Sequence, residues 1–205
     1  AAPLAAAWAI VTALGVDGFR ELTASMVAST AALRSGIESI EGLAVLGDPV
    51  GPMLAIIADP SVPEAGRVDP HLWADGMRSF GFIVQQQPAS TQPDGSLLPP
   101  TAHLTITPVT GSVVDELLEA GATVASTVRG VPHLDGAAIA GALFGDAVGA
   151  IAGGAGLDSA TARGILTAAG LLADGGLRED GLGDLAPVRA LVEALPQPIV
   201  DRLLI

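Results

Sequence analysis

The stretch PMLAIIADP, residues 52–60, decides much of the fold. It is a short apolar run that ends in Asp-Pro, and the preceding segment LAVLGDP, residues 43–49, has the same form. Gly-Asp-Pro and Asp-Pro favour turns, and each apolar run is too short for a typical helix. Both runs are therefore predicted to be β-strands.

Two more strands are predicted further along the chain, after a helix over residues 69–80. That helix begins with Asp-Pro, a side-chain cap followed by proline at the first helical position, and ends at Gly81. The segments FIVQQQ, residues 82–87, and AHLTITPV, residues 102–109, are predicted strands. The polar connection between them favours antiparallel pairing.

Helices are predicted before and after these strands in the sequence. Residues 18–40 repeat apolar side chains at spacings of three and four, which indicates an amphipathic helix. Residues 1–15 are apolar on all sides and predict a buried helix that ends at Gly15. The segment 112–129 starts with Ser-x-x-Asp, a capping-box-like pattern, and predicts a further helix.

The element order predicts an α+β fold, with helices on one face of a mostly antiparallel sheet. Residues 131–205 are rich in Gly and Ala and predict a helical tail packed on this first unit or on a partner. Within the tail, Ala137 to Leu157 is long enough to cross a bilayer. Asp146 near its centre would cost about 3 kcal/mol in lipid, so a buried helix or helix pair is predicted instead.

Composition excludes several classes of function. The net charge of −13 repels nucleic acid and anionic lipid, and an acidic surface is typical of a soluble cytoplasmic protein. With no cysteine, disulfides, thiolate catalysis and Cys-based zinc sites are excluded. His71, His133 and His103 lie far apart in sequence, so a metal site would need carboxylate ligands and is not expected. All nine basic residues are Arg, and the chain contains no lysine.

Four segments together resemble a known family. They are AAWAIVTALGVDGFRELT (6–23), GDPVGPMLAIIA (47–58), GFIVQQQ (81–87) and PPTAHLTIT (99–107). In this order they resemble the carboxy-terminal portion of the group II pyridoxal-phosphate (PLP) decarboxylases, and within that family they are most similar to the sphingosine-1-phosphate lyases. The resemblance covers residues 1–130, and the tail is only loosely similar.

The resemblance implies the small carboxy-terminal domain of a fold type I enzyme, the aspartate-aminotransferase type, which is homodimeric when complete. The lysine that carries PLP would then lie in a preceding large domain. An internal aldimine requires a primary amine, which among side chains only lysine supplies. No catalytic or cofactor-binding residue is therefore expected in this chain. The glycine-rich GAIAGGAG at 149–156 follows no convincing strand and favours helix packing over phosphate binding.

The resemblance also bears on the substrate. Amino-acid decarboxylases of the family place an Arg near the strand aligned with AHLTIT, where it grips the substrate carboxylate. The matching residue here is His103, and a neutral imidazole is a poor carboxylate clamp. This favours a phosphorylated amino alcohol and carbon–carbon cleavage to an aldehyde and phosphoethanolamine. Gln87 is a further candidate substrate contact, because the glutamines at 85–87 alternate across a strand.

The remaining aromatic residues and histidines have simpler interpretations. Trp8 and Trp73 are predicted core anchors. His71 is predicted in the first turn of its helix, on the surface, and His133 in a loop. His103 could equally be a structural residue at a strand edge.

Three other functions remain open at this point. The complete protein could be a PLP-dependent amino-acid decarboxylase, which shares the fold. The chain could be a non-catalytic interaction domain that kept the fold and lost the chemistry, for which the absence of lysine is equally expected. It could also be one subunit of a split enzyme that meets a lysine-bearing partner.

Overall fold

The computed structural model describes residues 2–144, 167, 172–173, 176–177 and 186–194. The helices are α1 (Ala2–Glu38), α2 (Pro70–Met77), α3 (Val114–Val128), α4 (Gly136–Phe144) and α5 (Ala186–Ala194). The strands are β1 (Leu43–Val45), β2 (Met53–Ala58), β3 (Gln85–Gln87), β4 (Ser90–Thr91), β5 (Leu97–Leu98), β6 (Thr101–Thr105), β7 (Leu172–Ala173) and β8 (Gly176–Leu177).

Four of these strands form an antiparallel sheet in the order β1-β2-β6-β3. In the register of the sheet, Ala102 of β6 lies opposite Ile56 of β2 on one side and Gln86 of β3 on the other. All four strands were predicted, and the antiparallel pairing of β3 with β6 is confirmed. The connection between them also contains the short hairpin β4–β5, which the polar composition did not indicate.

One face of the sheet carries the core. Leu54 and Ile56 of β2 are fully buried there against the second half of α1 and against α2, whose Trp73 is also fully buried. Helix α3 packs on α1 and α2 and closes the layer. The α+β class, with helices on one face of a small antiparallel sheet, is therefore confirmed, as is Trp73 as a core anchor.

Helix α1 contains a break at the predicted position. Gly15 has φ 60° and ψ −170°, so the segments on either side of it are two helices that meet at a kink. Residues 2–14 are exposed, and Trp8 is 71% exposed. The prediction of a buried helix with Trp8 as a core anchor is wrong within this chain, because the break directs the first segment away from the sheet.

Among the described residues, Ala2–Glu38 is the helix that is long and apolar enough to cross a membrane. Length and composition alone meet this criterion, which signal sequences and the core helices of soluble proteins also meet. None of the qualifying segment is buried by the part of the chain that the structure describes.

The ends of α2 follow the sequence prediction. The Asp69 side chain caps the helix by accepting hydrogen bonds from the backbone N–H groups of His71 and Leu72. A 3-10 turn extends the helix to Phe80, and Gly81 at φ 84° stops it. At α3 the predicted capping box is wrong: Ser112 lies in a 3-10 turn and donates to the carbonyl of Val109 instead of capping the helix.

The described part of the tail is helical except for one hairpin. Helices α4 and α5 pack on each other, and α5 also packs on α2 and β3. Helices α4 and α5 agree with the predicted helical tail, whereas the hairpin β7–β8 departs from it. The glycine-rich segment 149–156 and most of the apolar stretch after residue 144 lie outside the described residues.

Candidate histidine and carboxylate site

His71 lies in the first turn of α2, as predicted, but it is fully buried and not on the surface. Its Nε2 lies 2.8 Å from the backbone carbonyl oxygen of Gln87 in β3, which can only accept a hydrogen bond. Nε2 therefore carries the hydrogen of the neutral ring. Burial lowers the pKa of His71, which favours this neutral form. The surface prediction failed because β3 and α5 cover the start of α2.

The second nitrogen of the His71 ring has no hydrogen-bond partner in the described part of the chain. This atom, Nδ1, is buried and carries a lone pair in the tautomer set by Gln87. A buried acceptor without a donor is unfavourable by about 1–3 kcal/mol. Such atoms in native proteins call for an explanation, and a bound ion is one of the recognised explanations.

His133 lies in the loop between α3 and α4, and its ring bridges two carboxylates. Its Nδ1 lies 2.6 Å from Asp69 Oδ2, and its Nε2 lies 2.7 Å from Glu193 Oε2. The hydrogen bond to Asp69, followed by that to Glu193, raises the pKa of His133 to about 10. In the absence of another cation, His133 is an imidazolium that links α2 to α5. Its loop position is as predicted.

These contacts lower the pKa of both carboxylates. Burial alone would raise the pKa of Asp69, but the hydrogen bonds from His133 and the Leu72 N–H outweigh it and the pKa is lowered. Burial likewise opposes ionisation of Glu193, yet His133 and the Ala89 N–H, which donates to Glu193 Oε1 at 2.7 Å, lower its pKa. Both side chains are therefore ionised at neutral pH.

Together, His71, His133 and Glu193 form a compact cluster. One ligand atom from each residue lies within 4.8 Å of the other two, and the two imidazole rings are 5.5 Å apart in an edge-on arrangement. We refer to these three residues as the His-Glu cluster. The sequence does not indicate this cluster, because its members come from a helix start, a loop and the tail. Their spacing matches no short motif.

A second buried polar contact joins the same elements. The Gln86 side chain donates to Asp75 Oδ1 at 2.6 Å, and Asp75 Oδ2 accepts from the Ala186 N–H at 2.7 Å. Asp75 thus receives the first backbone N–H of α5, where a helix has unsatisfied donors. The tail helix is held on the α/β unit at both ends, by Asp75 at its start and by Glu193 near its end.

The predicted substrate residues lie on the other face of the sheet. His103 is opposite Gln85 in the register, and Gln87 is opposite Thr101, so His103 and Gln87 form a diagonal pair on one face. The Nε2 of His103 lies 3.0 Å from Thr101 Oγ1, and burial lowers the pKa of His103. Gln85 is exposed, Gln86 is buried and Gln87 is half-buried, which confirms the predicted alternation.

The kink in α1 leaves an apolar surface that nothing in the described chain covers. At the kink, Val11, Val16 and Phe19 line an open depression, and Leu4 and Trp8 extend the apolar surface towards the amino terminus. We refer to these five residues as the α1 apolar surface. An apolar surface of this extent is typical of a protein or membrane contact.

Comparison with known proteins adds no family assignment. No protein-family model matches the chain, and no curated protein matches its sequence.

Proposed function

We propose that this chain is the carboxy-terminal small domain and tail of a PLP-dependent carbon–carbon lyase of the sphingosine-1-phosphate lyase type. The observation that carries the proposal is the combination of a small antiparallel sheet, layered with helices on one face, and a preceding apolar helix left uncovered. Both features suit a small domain that docks on a cofactor-bearing large domain. The quoted sequence segments supply the family part of the proposal.

The α1 apolar surface supports this arrangement. Trp8 and Leu4 are 71% and 77% exposed, a state that is unfavourable by about 25 cal/mol for each Å² of apolar surface left in water. In the proposed enzyme, the large domain or the partner of a homodimer covers this surface. The apolar side chains of α1 then form a contact with protein. The proposed location of the enzyme is the cytoplasm.

The residues of this chain do not fit covalent attachment of PLP. A Schiff base to the cofactor requires a primary amine, and the 205-residue chain has no lysine. No chemical step is therefore assigned to its side chains. Its proposed work is to close over the cofactor, exclude water and provide dimer surface, while the large domain supplies the lysine.

The first prediction concerns this missing amine. The purified chain, mixed with PLP and reduced with borohydride, is expected to carry no pyridoxyl group on any side chain. Peptide mapping by mass spectrometry checks this and separates side chains from the α-amino group, the one primary amine that remains. A pyridoxyl adduct on an internal peptide would contradict the proposal.

The coding sequence upstream of Ala1 distinguishes the proposal from its main rival. A segment that carries a PLP-binding lysine shortly before Ala1 supports the lyase. A start codon at that place supports a non-catalytic interaction domain. If the lysine is instead on a separate co-purifying protein that absorbs near the aldimine band, the chain is a subunit of a split enzyme.

The proposed substrate class depends on His103. Its pKa is lowered, so at neutral pH it presents an uncharged imidazole on the outer sheet face beside Gln87. An uncharged ring provides no charge-assisted contact for a substrate carboxylate, which favours a phosphorylated amino alcohol over an amino acid.

The second prediction tests this preference in the complete enzyme. His103→Arg is expected to raise kcat/KM for a carboxylate-bearing substrate about 10–100-fold relative to the amino alcohol, because a charged hydrogen bond contributes about 1.5–3 kcal/mol. Steady-state kinetics with both substrates measures the ratio. Gln85→Arg, opposite His103 but more exposed, is the matched control. An unchanged ratio in His103→Arg removes this residue from the substrate site.

A further inference from the structure

The His-Glu cluster has the ligand types of a zinc site. Two imidazoles and one carboxylate are the protein ligands found in one group of zinc enzymes, where water occupies the fourth position. Here the three side chains come from α2, the loop after α3, and α5. Their ligand atoms already lie within 4.8 Å of one another. We propose that His71, His133 and Glu193 bind one divalent transition-metal ion, for which Zn²⁺ is the best fit.

Binding of an ion requires the side chains to move, by up to about 1.5 Å for ligand atoms that start 4.8 Å apart. Ligand atoms around a tetrahedral Zn²⁺ are about 3.3 Å apart, since each bond is about 2.0–2.1 Å. His133 Nε2 and Glu193 Oε2 are at 2.7 Å, slightly closer than this. The ion takes the place of the proton between these two atoms, and the imidazole–carboxylate pair opens by about half an ångström to admit it.

The outer contacts of the two histidines match those of metal ligands. A metal-binding histidine usually donates its other ring N–H to a carboxylate or a backbone carbonyl, which fixes its orientation and tautomer. His133 lies 2.6 Å from Asp69 through Nδ1, and His71 lies 2.8 Å from the Gln87 carbonyl through Nε2. Each ring therefore keeps one nitrogen for an ion.

The unpartnered nitrogen of His71 is the independent observation that points to a ligand. His71 is fully buried, and within the described residues its Nδ1 has no hydrogen-bond partner. Coordination of a cation would satisfy this lone pair without a further donor.

The partial exposure of His133 gives the site an entry path and an open position. Its side chain is 33% exposed, whereas that of Asp69 behind it is 6% exposed. Water can therefore reach the ion from the His133 side and complete its coordination. Because the ligands are 60 or more residues apart, the bound ion fastens the tail helix to the α/β unit.

The experiment uses the purified chain after treatment with a chelator. A calorimetric titration with Zn²⁺ is expected to show one equivalent bound to the chain. Bound Zn²⁺ is also expected to raise the thermal unfolding midpoint. Co²⁺ replaces Zn²⁺ as a spectroscopic probe, and its visible absorption reports nitrogen and oxygen ligands in a tetrahedral arrangement.

Four variants locate the binding. His71→Ala and Glu193→Gln are expected to weaken Zn²⁺ binding at least about 100-fold, because each removes a ligand. Asp69→Asn is expected to weaken it about 10–100-fold as an outer contact, while asparagine still caps α2. His103→Ala, the histidine outside the cluster, is the matched control and is expected to bind as the unaltered chain does.

Glu193→Gln keeps the test decisive if His71→Ala does not fold. Glutamine has the size of glutamate and keeps an oxygen for the Ala89 N–H, so circular dichroism should show an unaltered fold. Failure to bind one equivalent, or binding by Glu193→Gln as tight as in the unaltered chain, would overturn the metal site. An equal loss in His103→Ala would do the same. No outcome depends on PLP, so the metal site and the proposed lyase function succeed or fail separately.

Discussion

Replacement of Trp73 by alanine is expected to lower the free energy of unfolding by about 3–5 kcal/mol, the usual cost of removing a buried tryptophan. Trp73 is fully buried between the sheet and α3, and its Nε1 donates to the Gly121 carbonyl at 3.0 Å. The substitution leaves a cavity and an unpaired buried carbonyl. Urea unfolding followed by circular dichroism measures the loss.

Trp8→Ala is the matched control, since it removes the same side chain from an exposed position in the first segment of α1. Trp8 is 71% exposed, so its replacement is expected to change the free energy of unfolding by less than about 0.5 kcal/mol. Equal losses in the two variants would mean that residues 2–14 pack on the domain in solution. A loss of stability confined to Trp73→Ala supports an α1 apolar surface that is free to contact the large domain or the partner of a homodimer.

Gly42→Ala is the second substitution expected to be strongly destabilising, by about 2–5 kcal/mol. Gly42 has φ 93°, where a side chain adds about 1–2 kcal/mol of strain. A Cβ at this position would also clash with the Gly66 carbonyl and lie 2.9 Å from Val68 Cγ2. Overpacking of this kind costs about 1–3 kcal/mol. The Gly42 carbonyl accepts from the N–H groups of Asp59 and Val68, so the turn cannot shift freely.

Gly47→Ala separates strain from overpacking. Gly47 follows β1 as Gly42 precedes it, and its φ of 70° gives similar strain. No heavy atom of the described chain lies within 4 Å of a Cβ placed there, so only the strain of about 1–2 kcal/mol is expected. The same urea experiment compares the two variants. If Gly47→Ala were as costly as Gly42→Ala, the close approach of Gly66 would not matter.

Local chemistry explains the parts of the fold that could be predicted. Asp69 and Pro70 start α2, and Gly81 stops it, because caps and left-handed residues act on backbone groups within one turn. The strand runs at 43–45 and 53–58 were recognisable from their turns and apolar composition. The capping box predicted at Ser112 does not form, because the Ser112 hydroxyl donates to the Val109 carbonyl instead.

Two other predictions, the burial of residues 1–15 and the surface position of His71, failed because they concern contacts between distant segments. Residues 1–15 were apolar, and the sequence could not indicate that no other part of the described chain would cover them. His71 was placed on the surface because a first helical turn is usually exposed, but β3 and α5 bury it. His133 was correctly placed in a loop, yet its two carboxylate partners lie 64 and 60 residues away.

The amino-acid sequence by itself determined the ends of α2, the strand runs, the α+β class and the absence of any side-chain amine. Each of these depends on residue type or on neighbours within a few positions, where one hydrogen bond or one backbone angle decides the outcome. Only the tertiary structure decided which faces are buried and that His71, His133 and Glu193 meet. Burial and long-range ion pairing depend on the whole arrangement of the sheet, α2 and α5, which no local pattern encodes.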